Sequence, residues 1–235
     1  MSSLRLIILM LFAFSLSSMA AIKPVKKEIR IASSFNSIIL ANCIDLVISQ
    51  GNERKCLVEA ESTVSSQVVC SLSDSTLSIY ANKFKYKKSK RITVYLTLDA
   101  PLADIETQSG NRVSSYGTIE CDTLSVKADG SSSISIAIKA VEVKVRVSEN
   151  ASLSLRGEAE SVDAIVRNTS NLWLNSLKCS NVTLDADYYC HCKIFAGKSM
   201  VVNARRGSDV EYVAARGAQR VINNDNMSRV INVGD

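Results

Sequence analysis

Residues 124–155 read LSVKADGSSSISIAIKAVEVKVRVSENASLSL, and this stretch decides the fold. Leu124, Val126 and Ala128 alternate with Ser125, Lys127 and Asp129. A small polar cluster around Gly130 follows, and then Ile134, Ile136 and Ile138 alternate with Ser135, Ala137 and Lys139. Val143, Val145 and Val147 continue the pattern against Lys144, Arg146 and Ser148. Side chains of a strand project to opposite faces with period 2, so each segment has one apolar and one polar face. The β-branched content suits strands. The clusters between them carry Gly, Asn, Asp and Ser, which turn the chain.

Working outward, the unit repeats. Its turn clusters centre on Gly110, Gly130, Glu149, Thr169, Tyr188, Gly207 and Asp225, at successive gaps of 20, 19, 20, 19, 19 and 18 residues. A period that regular predicts a solenoid. One unit cannot bury its apolar face alone, but stacked units share a continuous core. The expected fold is all-β: a β-helix-like solenoid of about six coils of 19–20 residues over 102–235, preceded by an irregular N-terminal β layer over 31–101. At a strand spacing of about 4.8 Å, such a stack is a rod on the order of 30 Å long. No apolar stripe of helical period persists, and no proline follows Pro101 to interrupt a ladder. A sandwich of hairpins is the structural alternative; the constant period favours the solenoid.

The N-terminal region is read as follows. Residues 1–20 have the form of a secretory signal peptide: Arg5, a short apolar run from Leu6 to Phe14, and a small-x-small site at Ser18-Met19-Ala20. That run is too short to span a membrane as a helix, so no integral membrane segment is expected. The chain is expected to be exported, to the periplasm, the cell surface or beyond. Residues 21–30 form a short basic lead-in. Strand-like segments follow at 37–40, 44–49, 56–60, 77–80 and 91–98, with strong turns at Gln50-Gly51-Asn52 and at 71–76. This layer is expected to cap the solenoid and share its core.

The order of these segments resembles a known family, the putative auto-transporter adhesin head family, or GIN domain, of secreted bacterial proteins. The resemblance is carried by Phe35-Asn36-Ser37-Ile38, by Ile44-Asp45-Leu46-Val47-Ile48-Ser49-Gln50-Gly51, by Leu77-Ser78-Ile79, by Val94-Tyr95-Leu96-Thr97 and by Pro101-Leu102-Ala103-Asp104-Ile105. The Ser109-Gly110 and Asp129-Gly130 turns match the family's repeated Ser-Gly turns; Ser148-Glu149, Asn168-Thr169 and Asp187-Tyr188 lack the glycine. The resemblance covers about 30–235. It implies a β-helix-like extracytoplasmic protein without established enzymatic activity.

Few residues suggest chemistry. The single histidine, His191, stands between Cys190 and Cys192. On a strand the two cysteines share a face and the histidine points away, so one strand cannot aim all three at one metal ion. The seven cysteines (Cys43, Cys56, Cys70, Cys121, Cys179, Cys190 and Cys192) show neither a metal-type spacing nor a compact disulfide framework. Several fall on apolar strand positions and are expected as small core residues, and the 43–70 region has room for one bridge. Asp104 with Glu106 and Asp185 with Asp187 share strand faces, but no acid recurs at one repeat position, as a polysaccharide-cleaving site would need. No catalytic residue, metal ligand or cofactor is assigned.

Two stretches suggest binding. Lys83, Lys85, Lys87 and Lys88, with Phe84 and Tyr86 between them, form the densest positive run, fit to meet an anionic surface or simply to protect a hairpin tip. Trp173 falls on a polar alternation and should face outward, with Tyr188 near by on a turn that lacks its glycine. The net charge of +5 is too mild to argue for nucleic acid. The expected function is therefore an exported, adhesin-like binding module, with a glycan or a host or cell-surface protein as partner and self-association into a homo-oligomer as an option. The alternatives are a polysaccharide-active enzyme and a purely structural, self-associating envelope component.

Overall fold

The structure, a computed structural model, describes residues 24–82 and 92–234. The expected signal peptide at 1–20 and the basic run from Lys83 to Lys88 lie outside the described residues.

The chain is a β-solenoid whose regular part begins with β8 (Asp104–Thr107) and continues through four long strands. These are β9 (Arg112–Ala128), β10 (Ser133–Val147), β11 (Ser152–Arg167) and β12 (Asn171–Asp187). The shorter β13 (His191–Ala196), β14 (Ser199–Arg205), β15 (Asp209–Ala214), β16 (Gln219–Asn224) and β17 (Arg229–Asn232) complete the stack. Each pairs in parallel with the strands of the neighbouring coils. The register follows the repeat: Arg112, Ser133, Ser152, Asn171, His191, Asp209 and Arg229 lie in one column.

The alternation seen in the sequence fills the core. Ile134, Ile136, Ile138, Val143, Val145 and Val147 of β10 are buried, and so are Leu153, Leu155, Val162, Ala164 and Val166 of β11. Each buried Leu, Ile or Val contributes about 1.5–3 kcal/mol, so stacking, rather than any one coil, holds the fold.

The polar clusters form one stacked corner. In each coil two successive residues take the left-handed backbone: Ser109 and Gly110, Gly130 and Ser131, Glu149 and Asn150, Asn168 and Thr169, Tyr188 and Tyr189, Arg206 and Gly207. One backbone hydrogen bond links each corner to the next, from Gly110 N–H to Gly130 O (2.8 Å), Thr169 N–H to Tyr188 O (2.9 Å) and Tyr189 N–H to Arg206 O (3.0 Å) among them. The residue just past each corner is buried and small or polar: Asn111, Ser132, Ala151, Ser170, Cys190 and Ser208. Several of these side chains bridge coils. The Ser208 hydroxyl donates to Arg205 O at 2.8 Å and accepts from Cys190 N–H at 3.3 Å.

The N-terminal layer does not stack in chain order. It comprises β1 (Val25–Glu28), β2 (Ser37–Ala41), β3 (Asp45–Gln50), β4 (Lys55–Ala60), the one-turn helix α1 (Ser62–Ser65), β5 (Val68–Ser73), β6 (Thr76–Ala81) and β7 (Thr93–Leu98). The coil made by β2 and β3 lies between the coil made by β6 and β7 and the coil made by β8 and the start of β9. Beyond β6 and β7 the direction reverses: β4 is antiparallel to β7, β1 to β4, and β5 to β6. The charged edge strand β1, Val-Lys-Lys-Glu, resists further pairing.

Candidate functional site

The outer faces are where ligands could be met, since the interior is filled. On the face that carries β12, β13 and β15, register places Lys193 beside Trp173, and Glu211 beside Lys193. The Lys193 ammonium stands over the Trp173 ring, 5.8 Å from its centre, and pairs with Glu211 at 2.7 Å. One column over run Asn171, His191 and Asp209, with Arg229 next. Arg229 grips Asp209 with two hydrogen bonds, of 2.9 Å and 2.6 Å. Between the columns lies a shallow recess of about 270 Å³, lined by Trp173, His191, Lys193, Asp209 and Glu211.

The charges of this recess are internally neutralised. The guanidinium of Arg229 holds the Asp209 carboxyl below the usual carboxylate range, with smaller contributions from His191 and Lys193. What remains is an indole surface, partly covered by a lysine stem and bordered by hydrogen-bonding groups. Such a surface suits a ligand with an apolar face and hydroxyl edges.

Tyr188 lies elsewhere, on the corner. It and Tyr189 are about half exposed, and the Arg206 guanidinium lies over the Tyr188 ring at 5.9 Å. Beneath them Asp187 is only 4% exposed although its position in the strand faces outward. Arg206 covers it, with Nε 2.6 Å from Oδ1 and a second bond to Oδ2, and depresses its pKa; burial opposes this in part. Asp185 is held by two arginines, Arg167 and Arg205, each at 2.9 Å.

The C-H-C triplet is arranged as strand geometry requires: Cys190 and Cys192 are buried and His191 is exposed. Burial pushes the Cys192 thiol up. Among the described residues no group of three or more His, Cys, Asp or Glu could hold a metal ion. Asp104 and Glu106 sit on the outer face, Glu106 paired with Lys127 at 3.3 Å.

Lys193, Asp209 and Glu211 went unremarked in the sequence, yet the repeat offered the signal. Each lies one coil on from its neighbour in the recess, 18 or 20 residues along the chain.

Comparison with known proteins adds the following. Residues 34–215 match the sequence profile of the family described as "Putative auto-transporter adhesin, head GIN domain". A solved structure of a putative adhesin from Bacteroides fragilis NCTC 9343 superposes with a TM-score of 0.82 at 14% identity, covering 90% of this chain and 97% of that one. A putative adhesin from Parabacteroides merdae ATCC 43184 gives 0.68 at 14% identity, over 90% and 96%. A putative lipid binding protein from Parabacteroides distasonis ATCC 8503 gives 0.68 at 11% identity, over 90% and 97%. At these identities the likeness shows a shared fold. No curated protein sequence matches the chain.

Proposed function

The chain belongs to the putative auto-transporter adhesin, head GIN domain family, and on that premise we propose an exported, non-enzymatic binding module that attaches to a saccharide-bearing surface through one lateral face of its solenoid. The observation that carries this reading is the recess at Trp173. It places an aromatic ring among asparagine, histidine and charge-paired side chains on a rigid ladder, an arrangement that binds without reorganising. The N-terminal Arg5–Ala20 pattern supports export, and no helix among the described residues is long and apolar enough to cross a membrane.

Electrostatics supports a binding role over hydrolysis. Glycoside cleavage needs one carboxyl kept protonated as the general acid. Asp187 and Asp209 are instead held below their ordinary pKa by arginines, and Asp185 lies between two more. These carboxylates serve as cross-coil ties.

The test is an array of glycans and matrix proteins probed with the purified protein, with a Trp173→Ala variant, and with a variant in which Lys83, Lys85, Lys87 and Lys88 are changed to Glu. A glycan hit lost in Trp173→Ala and kept in the lysine variant supports the recess. A hit lost only in the lysine variant moves the contact to the basic run. Absence of any hit on the array removes the adhesin reading and leaves the structural one.

A further inference from the structure

At the N-terminal end of the stack, two cysteines face one another. The antiparallel pairing of β4 with β7 sets Cys56 opposite Leu96, and that of β5 with β6 sets Cys70 opposite Ile79. Directly opposed residues project to the same side of a sheet, and Leu96 and Ile79 are both buried in the core. Cys56 and Cys70 therefore point inward, into the core layer of the coil that β6 and β7 form. Cys56 is fully buried, and Cys70 is half-buried against the same cluster. Each thiol shifts the titration of the other, so the two lie within interacting distance. By contrast, Cys43, Cys179 and Cys190 give their thiol hydrogen bonds to backbone carbonyls.

We propose that Cys56 and Cys70 form a disulfide that staples β4 and β5 to each other at the N-terminal end of the solenoid. The location has a physical rationale. A solenoid's last layer has no further coil to bury it. Among the described residues β5 pairs with β6, and the chain reaches it from β4 through α1. A bond between them closes a loop of about 15 residues and fastens the layer that is otherwise first to open.

The two thiols have unequal roles. Cys70 is the more accessible, and interaction with Cys56 lowers its pKa; the same interaction, then burial, pushes Cys56 up. The Cys70 thiolate attacks one sulfur of an incoming disulfide, either a low-mass disulfide or that of an extracytoplasmic oxidoreductase, and releases the first thiol. Cys56 then loses its proton, and its sulfur attacks the Cys70 sulfur and displaces the second thiol. One S–S bond is broken and one formed. The two cysteine protons end on the two released thiols, and the incoming disulfide is the oxidant.

Pairing depends on this geometry and not on what the protein binds, so it is tested on the purified full chain. The reduced chain is equilibrated with excess oxidised glutathione, alkylated under denaturing conditions, digested and weighed. The expected result is one linked peptide pair joining Cys56 to Cys70, with the remaining cysteines alkylated. The oxidised form is expected to melt about 6–12 °C above the reduced form, and the difference to vanish in Cys70→Ser. Recovery of Cys56 and Cys70 alkylated after oxidation would overturn the proposal. So would preferential pairing of either with another cysteine, or an equal melting difference in Cys70→Ser.

Discussion

Tyr188 and Tyr189 stand side by side at one corner, both with left-handed backbone (φ 72° and 56°), their rings edge to face with centres 5.4 Å apart. The left-handed region costs a side-chain-bearing residue about 1–2 kcal/mol, and bulky residues rarely enter it. Other coils place Gly, Ser, Asn, Thr, Glu or Arg in this corner, and none places two aromatic residues there. The tyrosines are held there by the stack above and below and by the Tyr189 ring, which packs on Gly207 where any Cβ would lie 2.6 Å from the ring. Strain of this kind tends to gather where a surface has work to do. Asparagine tolerates the left-handed backbone better. Tyr188→Asn is therefore expected to raise the melting temperature by about 2–4 °C, as relief of about 1 kcal/mol would, when followed by circular dichroism. Loss of ligand binding in that stabilised variant would mark the corner as part of the binding surface; a lower melting temperature would show that the ring's packing outweighs the strain.

Asn111 joins the out-of-order N-terminal coil to the regular stack. Its Oδ1 accepts from Ile44 N–H at 2.8 Å, and its Nδ2 donates to Leu40 O at 3.0 Å and to Gln108 O. The bonds to Ile44 and Leu40 are buried. Asn111→Ala would orphan Ile44 N–H, at about 1–3 kcal/mol, while Leu40 O keeps the Gln108 N–H as donor, so a loss of roughly 1–3 kcal/mol is expected in urea unfolding. An effect below about 0.5 kcal/mol, the range of ordinary surface changes, would mean that water replaces the side chain.

How much of this was legible depends on distance along the chain. Coil stacking could be read because each inward residue has its neighbour one period away, as Leu153 lies beside Ile134 and Leu172 beside Leu153. The insertion of β2 and β3 between later coils could not. It rests on pairings such as Ser37 with Asp104, 67 residues apart, which no period announces. Trp173 was visible as an outward aromatic, but its partners Lys193 and Glu211 emerge only when the exact register is applied. The left-handed tyrosine pair is visible only by position, because aromatic side chains themselves argue against that backbone. The Cys56–Cys70 contact depends on the reversal of direction at β4 and β5, which alternation alone cannot reveal.

Gly157 has a backbone that no other residue could adopt at this spacing. Its φ is 110°, and a Cβ placed there would lie 2.1 Å from Ile138 O of the preceding coil. Neither atom is at the end of a flexible side chain, so the ladder itself would have to separate. Gly157→Ala is expected to cost at least about 3 kcal/mol, read as a lowered urea midpoint or loss of soluble protein. A variant that unfolds like the parent would mean that the coils part there at little cost.

Three carboxylates along the stack make stability depend on acid. Asp187, Asp209 and Asp225 all have lowered pKa values in the fold, caused first by hydrogen bonds from the Arg206 guanidinium, the Arg229 guanidinium and the Arg206 backbone N–H respectively. An unfolded aspartate titrates near 3.9. Between that value and the lower folded values the unfolded chain binds more protons than the fold, so stability falls as pH falls. The contribution is complete above about pH 5 and is lost progressively below about pH 4. Melting temperature followed from pH 7 to pH 2 should therefore drop most steeply at the acid end, and less so in high salt, which screens the exposed arginines. Asp187→Asn should melt lower than the parent at pH 7 and show a shallower acid decline, the two curves drawing together towards pH 2. Parallel curves would show that the Arg206 contact adds nothing to the fold, and the cross-coil ties would then have to be sought in the hydrogen-bonded column beneath the corner.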